Sequence, residues 1–212
     1  MFNFKDKIPC KNVHPGKNSI EFLILHHTAW WTYTSNLRTL SGNSERPVSC
    51  HFLIGKNQWE VAKIGEPEQI QWHAWESRYW KKTDLNRYSI GIEVVSDIKW
   101  LWYTEWQRKC LVELTEHLMR AYSIPKEKVL RHQEISLSGK IDLHISYRWS
   151  EAKYQEWKNN LLKKSEEIKV PEFIKILFDQ NKKVFDSIQD KKLQEHLTNT
   201  NSYLRSVYKD LK

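Results

Sequence analysis

The chain has 212 residues, with 40% hydrophobic and 28% charged residues and a formal net charge of +8. These values exclude a disordered chain and a disulfide-stapled miniprotein, and leave room for one ordinary domain plus an appendage. No run approaches the roughly 18 apolar residues of a membrane-spanning helix, and the opening MFNFKDKIPC lacks the apolar core of a signal peptide.

In chain order, IEFLIL (20–25) is a short β-branched and aromatic run that predicts a buried strand leading into His26-His27-Thr28. Ser35 to Leu40 predicts a short helix ended by Ser41-Gly42-Asn43-Ser44. Cys50 to Ile54 and Trp59 to Ile64 predict two strands joined by a hairpin turn over Gly55-Lys56-Asn57-Gln58. Residues 65–88 show no clean period and are expected to form a long surface loop, of the kind that is usually functional. SIGIEVV (89–95) predicts a fourth strand. Thr104 to Tyr122 is the clearest helix, with Thr104 and Gln107 as a capping box and an apolar stripe of Trp106, Cys110, Leu114 and Leu118. Val129 to His132 predicts a last short strand, and Tyr147 to Leu162 a helix of mixed polarity. The stretch after Ser165 is rich in Lys and Glu and patterned for helix.

Strands alternating with helices predict an α/β fold with a mixed central β-sheet flanked by helices. The eleven Trp all lie between Trp30 and Trp157, and the last Gly is Gly139. A turn-rich domain over 1–162 and a helical C-terminal extension over 163–212 are therefore expected. Cys10, Cys50 and Cys110 have no metal-binding spacing and read as reduced thiols. The excess charge is spread along the chain, +5 in residues 1–150 and +3 in 151–212. It suits a polyanionic partner but shows no nucleic-acid arm or motif.

Three clusters carry candidate chemistry. His26 follows a buried strand, and periodicity alone does not choose between it and His27. Glu93 lies in an apolar strand, where a carboxylate needs a partner unless it sits at an edge facing water. RHQEISLSGKIDLH brings His132, Glu134, Lys140, Asp142 and His144 into one short stretch. His nitrogen and Asp oxygen are the ligand types of a catalytic zinc site.

Five segments appear in order: LHHTA (25–29), VSCHFLI (48–54), WHAWES (72–77), LNRYSIGIE (85–93), and RHQEISLSGKID (131–142) followed by YRW (147–149). With them the chain resembles the zinc-dependent N-acetylmuramoyl-L-alanine amidases. That group includes phage endolysins, peptidoglycan-recycling amidases and peptidoglycan recognition proteins. The resemblance implies one zinc ion held by His26, His132 and Asp142, with Glu93 as the acid/base and Lys140 stabilising the developing oxyanion. It implies further that His73 and Asn86 border the substrate groove, and that His51 lies near the metal and the substrate. Trp75, which stands with Glu76 where the family often has Gly-Val, is expected in a groove loop because its aromatic face suits stacking on sugar rings.

The chain departs from the family pattern at Cys50, where some branches place a Tyr, and at Leu143-His144, where Pro-Gly is usual. His144 is thus a rival third ligand, with Asp142 preferred. A Cys50 nucleophile paired with His51 is disfavoured, because adjacent strand residues point to opposite faces.

The implied function is hydrolysis of the amide between N-acetylmuramic acid and L-alanine in peptidoglycan, as a bacteriolytic endolysin acting on the cell wall. Synthesis in the host cytoplasm without a signal peptide fits that setting. A wall-recycling amidase and a non-catalytic peptidoglycan binder are the alternatives. The C-terminal helices are expected to dock, pair with a second copy, or contact wall or outer membrane.

Overall fold

The computed structural model describes residues 2, 4–28, 32–96, 103–140, 142 and 151–162. The expected helical extension, Trp30, Trp31, the YRW segment and His144 lie outside the described residues.

The elements are β1 (Asp6–Ile8), β2 (Val13–Lys17), β3 (Phe22–His27), α1 (Tyr33–Leu40), β4 (Phe52–Ile54), β5 (Val61–Ile64), β6 (Gln69–Gln71), β7 (Arg78–Tyr79), β8 (Lys82–Thr83), β9 (Ser89–Val94), α2 (Glu105–Tyr122), β10 (Val129–Arg131), α3 (His132–Ile135) and α4 (Glu151–Asn160). Six strands form one mixed sheet in the order β1-β5-β4-β9-β3-β10. The β4–β5 hairpin is antiparallel; β1–β5, β4–β9, β9–β3 and β3–β10 are parallel.

The middle strands are almost wholly apolar, as strands covered on both faces must be. Leu23, Ile24 and Leu25 of β3 and Ile90 and Ile92 of β9 are fully buried. Phe22 and Ile24 pack with Ala74, Leu85, Leu130 and Ile135. Leu53, Ala62 and Ile64 pack with Leu40, Cys50 and Val95.

The expected capping box of α2 is present. Gln107 N donates to Thr104 Oγ1 at 3.1 Å and Thr104 N donates to Gln107 Oε1 at 2.9 Å. The same Gln107 side chain donates through Nε2 to Val95 O at 2.7 Å, tying the helix start to the end of β9. Cys110, Leu114 and Leu118 of the expected stripe are buried.

The expectation of one long loop over 65–88 is corrected. That stretch contains β6, the β7–β8 hairpin and a 3₁₀ turn at Leu85–Arg87. β6 pairs antiparallel with β2, which the sequence reading missed along with β1. These strands are two to five residues long. They are also polar, and β2 is interrupted by Pro15-Gly16. They therefore carry no apolar alternation to read.

Candidate active site

Three neighbouring parallel strands, β9, β3 and β10, end at the same rim of the sheet. Open α/β sheets bind their ligands at that rim. His26 is the fifth residue of β3 and Glu93 the fifth of β9, and the two are register partners. His132 follows β10 directly, where the chain turns into α3. Asp142 is brought back beside it, with its carbonyl accepting from Gln133 N–H.

These placements bring His26 Nδ1 to 3.1 Å from His132 Nδ1 and 3.3 Å from Asp142 Oδ2, with His132 Nδ1 2.9 Å from Asp142 Oδ2. Among the described residues they form one group able to hold a metal ion. A tetrahedral ion at about 2.0–2.1 Å from each ligand needs edges of roughly 3.3–3.4 Å. The observed triangle is close to that. Two imidazoles and a carboxylate facing one another lack the hydrogens to satisfy every contact, and a cation resolves the conflict.

The electrostatics suit ligation. Burial pushes the His26 imidazole down to about 4, against the opposing pull of Asp142. Burial alone would raise the Asp142 carboxyl, but the adjoining His132 and His26 rings hold it well below the usual carboxylate range. At neutral pH His26 thus offers a lone pair and Asp142 a negative charge, as metal ligation requires.

Glu93 stands next to this group in a central strand, which removes the edge-facing alternative. Its Oε2 is buried and has no hydrogen-bond partner among the described residues. Burial raises its carboxyl well above the ordinary value; Asp142 adds to the rise and Lys140 opposes it. The Lys140 side chain itself is exposed, and its backbone N–H donates to Ser136 Oγ at 3.1 Å.

His73, expected at the groove, is buried against the site. Its Nδ1 lies 3.0 Å from His26 Nε2, and its Nε2 lies 3.3 Å from Ser89 Oγ. Its backbone N–H and that of Ala74 both donate to Asn86 Oδ1, at 3.0 and 2.7 Å. Asn86 therefore braces the turn that carries His73, and it also lines a neighbouring cleft.

His51 is placed differently from the expectation of substrate contact. It is fully buried, with Nε2 3.0 Å from Gln69 O and Nδ1 accepting from Gly91 N–H at 3.0 Å. Both ring nitrogens are committed to backbone, so the ring pins β9 and β6 together instead of meeting substrate. Cys50 is also fully buried, and burial pushes its thiol well up, so it is not a thiolate nucleophile.

Beyond Asn86 opens a cleft of about 410 Å³ lined by Trp72, Trp75, Glu76, Ser77, Thr83, Asp84 and Leu137 as well. Trp75 is 57% exposed with its backbone at φ 30°, a strained arrangement that presents the indole to the cleft. Trp80 stands at the tip of the β7–β8 hairpin and does not line it.

Sequence reasoning missed Ser89 and Gly91. A Cβ on Gly91 would lie 2.6 Å from His73 Cγ and 2.9 Å from Cys50 Sγ, so this glycine makes room for the His73 ring. A glycine in the middle of an apolar strand is the signal that could have found it.

The family model for N-acetylmuramoyl-L-alanine amidase matches residues 16–144. The chain belongs to that family. It is 29% identical over 154 residues to the N-acetylmuramoyl-L-alanine amidase AmiD of Escherichia coli, covering 64% of this chain and 53% of that one. It is 31% identical over 103 residues to the 1,6-anhydro-N-acetylmuramyl-L-alanine amidase AmpD of Haemophilus influenzae, covering 48% and 55%. The chain thus spans about half the length of the curated relatives it matches. Among solved structures, PlyL shares the fold, with a TM-score of 0.60 at 18% identity over 76% of this chain and 97% of that one. The AmiD complex with anhydro-N-acetylmuramic acid-L-Ala-D-γ-Glu-L-Lys aligns with a TM-score of 0.51 at 25% identity, over 62% and 55%. No helix among the described residues is long and apolar enough to cross a membrane.

Proposed function

We propose that the chain is a zinc-dependent hydrolase that cuts the amide between the lactyl group of N-acetylmuramic acid and the L-alanine of the peptidoglycan stem peptide. The observation that carries this reading is the His26–His132–Asp142 triangle, with edges of 2.9–3.3 Å, beside Glu93, whose buried Oε2 has no hydrogen-bond partner among the described residues. Family membership and the amidase names of the relatives support the same bond.

His26, His132 and Asp142 would hold the ion, which supplies Lewis acidity toward the scissile carbonyl and lowers the pKa of a nearby water. Glu93 takes the proton of the attacking water and returns it to the departing L-alanine nitrogen. A carboxyl raised by burial is suited to both steps. Lys140 supplies positive charge where negative charge grows on the carbonyl oxygen. The Trp72–Trp75 cleft, one hydrogen-bonded residue from His73, takes the flanking sugar or peptide against its indole faces.

In this reading residues 1–162 are the catalytic domain and 163–212 an accessory segment. An endolysin role is preferred over recycling because the net charge of +8 favours an anionic wall, an advantage that a small soluble fragment does not need.

The test is peptide release from a soluble N-acetylmuramoyl tripeptide. The reading expects hydrolysis that stops with a zinc chelator and returns with added zinc. Hydrolysis indifferent to both treatments, or zinc-loaded protein that binds the substrate and never cuts it, would overturn it.

A further inference from the structure

We propose that His73 and Ser89 are positioning residues that hold His26 in the tautomer whose Nδ1 lone pair faces the metal site. The inference rests on the zinc reading above and adds to it how the chain selects the correct nitrogen of its first ligand.

The assignment follows hydrogens from the backbone outward. Ser89 Oγ–H donates to Leu85 O at 2.6 Å, so the hydroxyl hydrogen is used there. Its oxygen remains as an acceptor, 3.3 Å from His73 Nε2, which places the His73 ring hydrogen on Nε2. His73 Nδ1 is then a lone pair, 3.0 Å from His26 Nε2, which must therefore carry the hydrogen. What is left on His26 is the Nδ1 lone pair, 3.1 Å from His132 Nδ1 and 3.3 Å from Asp142 Oδ2. One carbonyl thus sets the direction of two imidazoles in series. A ligating histidine generally gives its second N–H to a carbonyl or carboxylate; here a neutral histidine takes that place.

The surroundings are built for this contact. The His26 and His73 rings meet edge to face, 5.1 Å apart at 85°. His73 is held from behind by Asn86, which accepts from its backbone N–H. It occupies space that any side chain on Gly91 would fill. His26 and His73 are 1% and 8% exposed, so water does not compete for the shared hydrogen.

The experiment measures zinc affinity by competition with a chromogenic chelator for wild type, His73→Ala, His73→Asn and Ser89→Ala, with circular dichroism confirming the fold. Truncation of His73 to Ala should weaken zinc about 10–100-fold, the usual scale for losing such an outer partner. Asn, whose Oδ1 can stand where Nδ1 stood, should recover most of the loss, and Ser89→Ala should fall between. Long-range ¹H–¹⁵N spectra of wild type should show the His26 proton on Nε2. A folded His73→Ala protein with wild-type affinity would overturn the proposal. So would a His26 proton on Nδ1 in wild type, which needs no variant to fold. Wild-type protein that binds no zinc would instead remove the zinc reading itself, and this proposal with it.

Discussion

His26 of β3 and Glu93 of β9 are register partners on adjacent parallel strands, so a metal-ligand candidate and the carboxylate that would move protons are fixed by one row of the sheet. Neither depends on a loop for its position. Their separation of tasks is testable by substitution. Glu93→Gln and Glu93→Ala should keep zinc stoichiometry near wild type, because the carboxylate is not part of the ligand triangle. Turnover should fall by about 10²–10⁴, the contribution of a placed acid/base. Metal analysis beside a peptide-release assay checks both numbers, and a variant near the wild-type rate would take Glu93 out of the reaction.

Acid should destabilise the metal-free protein before its carboxylates titrate. Burial holds His26 and His51 at about 4, and His73 well below the ordinary range of an imidazole. Each binds a proton in the unfolded chain before it does so in the fold. Stability is therefore full above pH 6.5 and is lost as pH falls toward 4, by about 1.4 kcal/mol per pH unit for each histidine that titrates only when unfolded. Glu93 acts in the opposite sense, because its raised carboxyl penalises the fold as pH rises above its unfolded value. Denaturant titrations from pH 7.5 to 4.5 should show the histidine slope dominating. A flat profile would mean the rings are not held neutral.

Much of this site was legible because its signals are local. Apolar runs announce β3 and β9 and so mark His26 and Glu93 as anomalies, and the Thr104–Gln107 box announces α2. His132 and Asp142 stand within one short segment. The roles of His73 and His51 were not legible. His73 meets His26, 47 residues away, and His51 meets Gly91, 40 residues away. His73 was read as a groove residue and His51 as lying near the metal and the substrate, since nothing next to them in sequence shows which partners take their ring nitrogens. The 65–88 segment was read as a loop because its strands are short and polar, with partners such as β2 far along the chain.

Gly91→Ala should act on two levels. The new methyl would press on the His73 ring and Cys50 Sγ. Overpacking of that kind typically costs about 1–3 kcal/mol. Displacing His73 should also weaken zinc, which ordinary destabilisation of a still-folded protein would not do. Unfolding curves beside chelator competition separate the two effects.

Arg131 links the strand before His132 to α4. The residue is 5% exposed, and its guanidinium donates to Glu134 Oε2 at 3.1 Å and Glu151 Oε2 at 2.9 Å and lies 4.1 Å over the Tyr154 ring. Arg131→Met keeps the stem but removes these bonds. It should cost about 2 kcal/mol, below the full penalty of a buried pair because Glu151 is half exposed. Hydrogen exchange should show lost protection over residues 151–160 first.

A truncation ending at residue 164 should retain hydrolysis of soluble muropeptides at a rate within a few-fold of the full chain. Folded, zinc-loaded and inactive truncated protein would contradict the division of labour proposed between 1–162 and the rest.

The central claim is the identity of the bond that is cut. Purified sacculi digested with the zinc-loaded protein and analysed by mass should yield new free L-alanine amines on released stem peptides, with glycan strands left intact. New reducing sugar ends, or peptides cut elsewhere with the lactyl–alanine amide unbroken, would contradict the account.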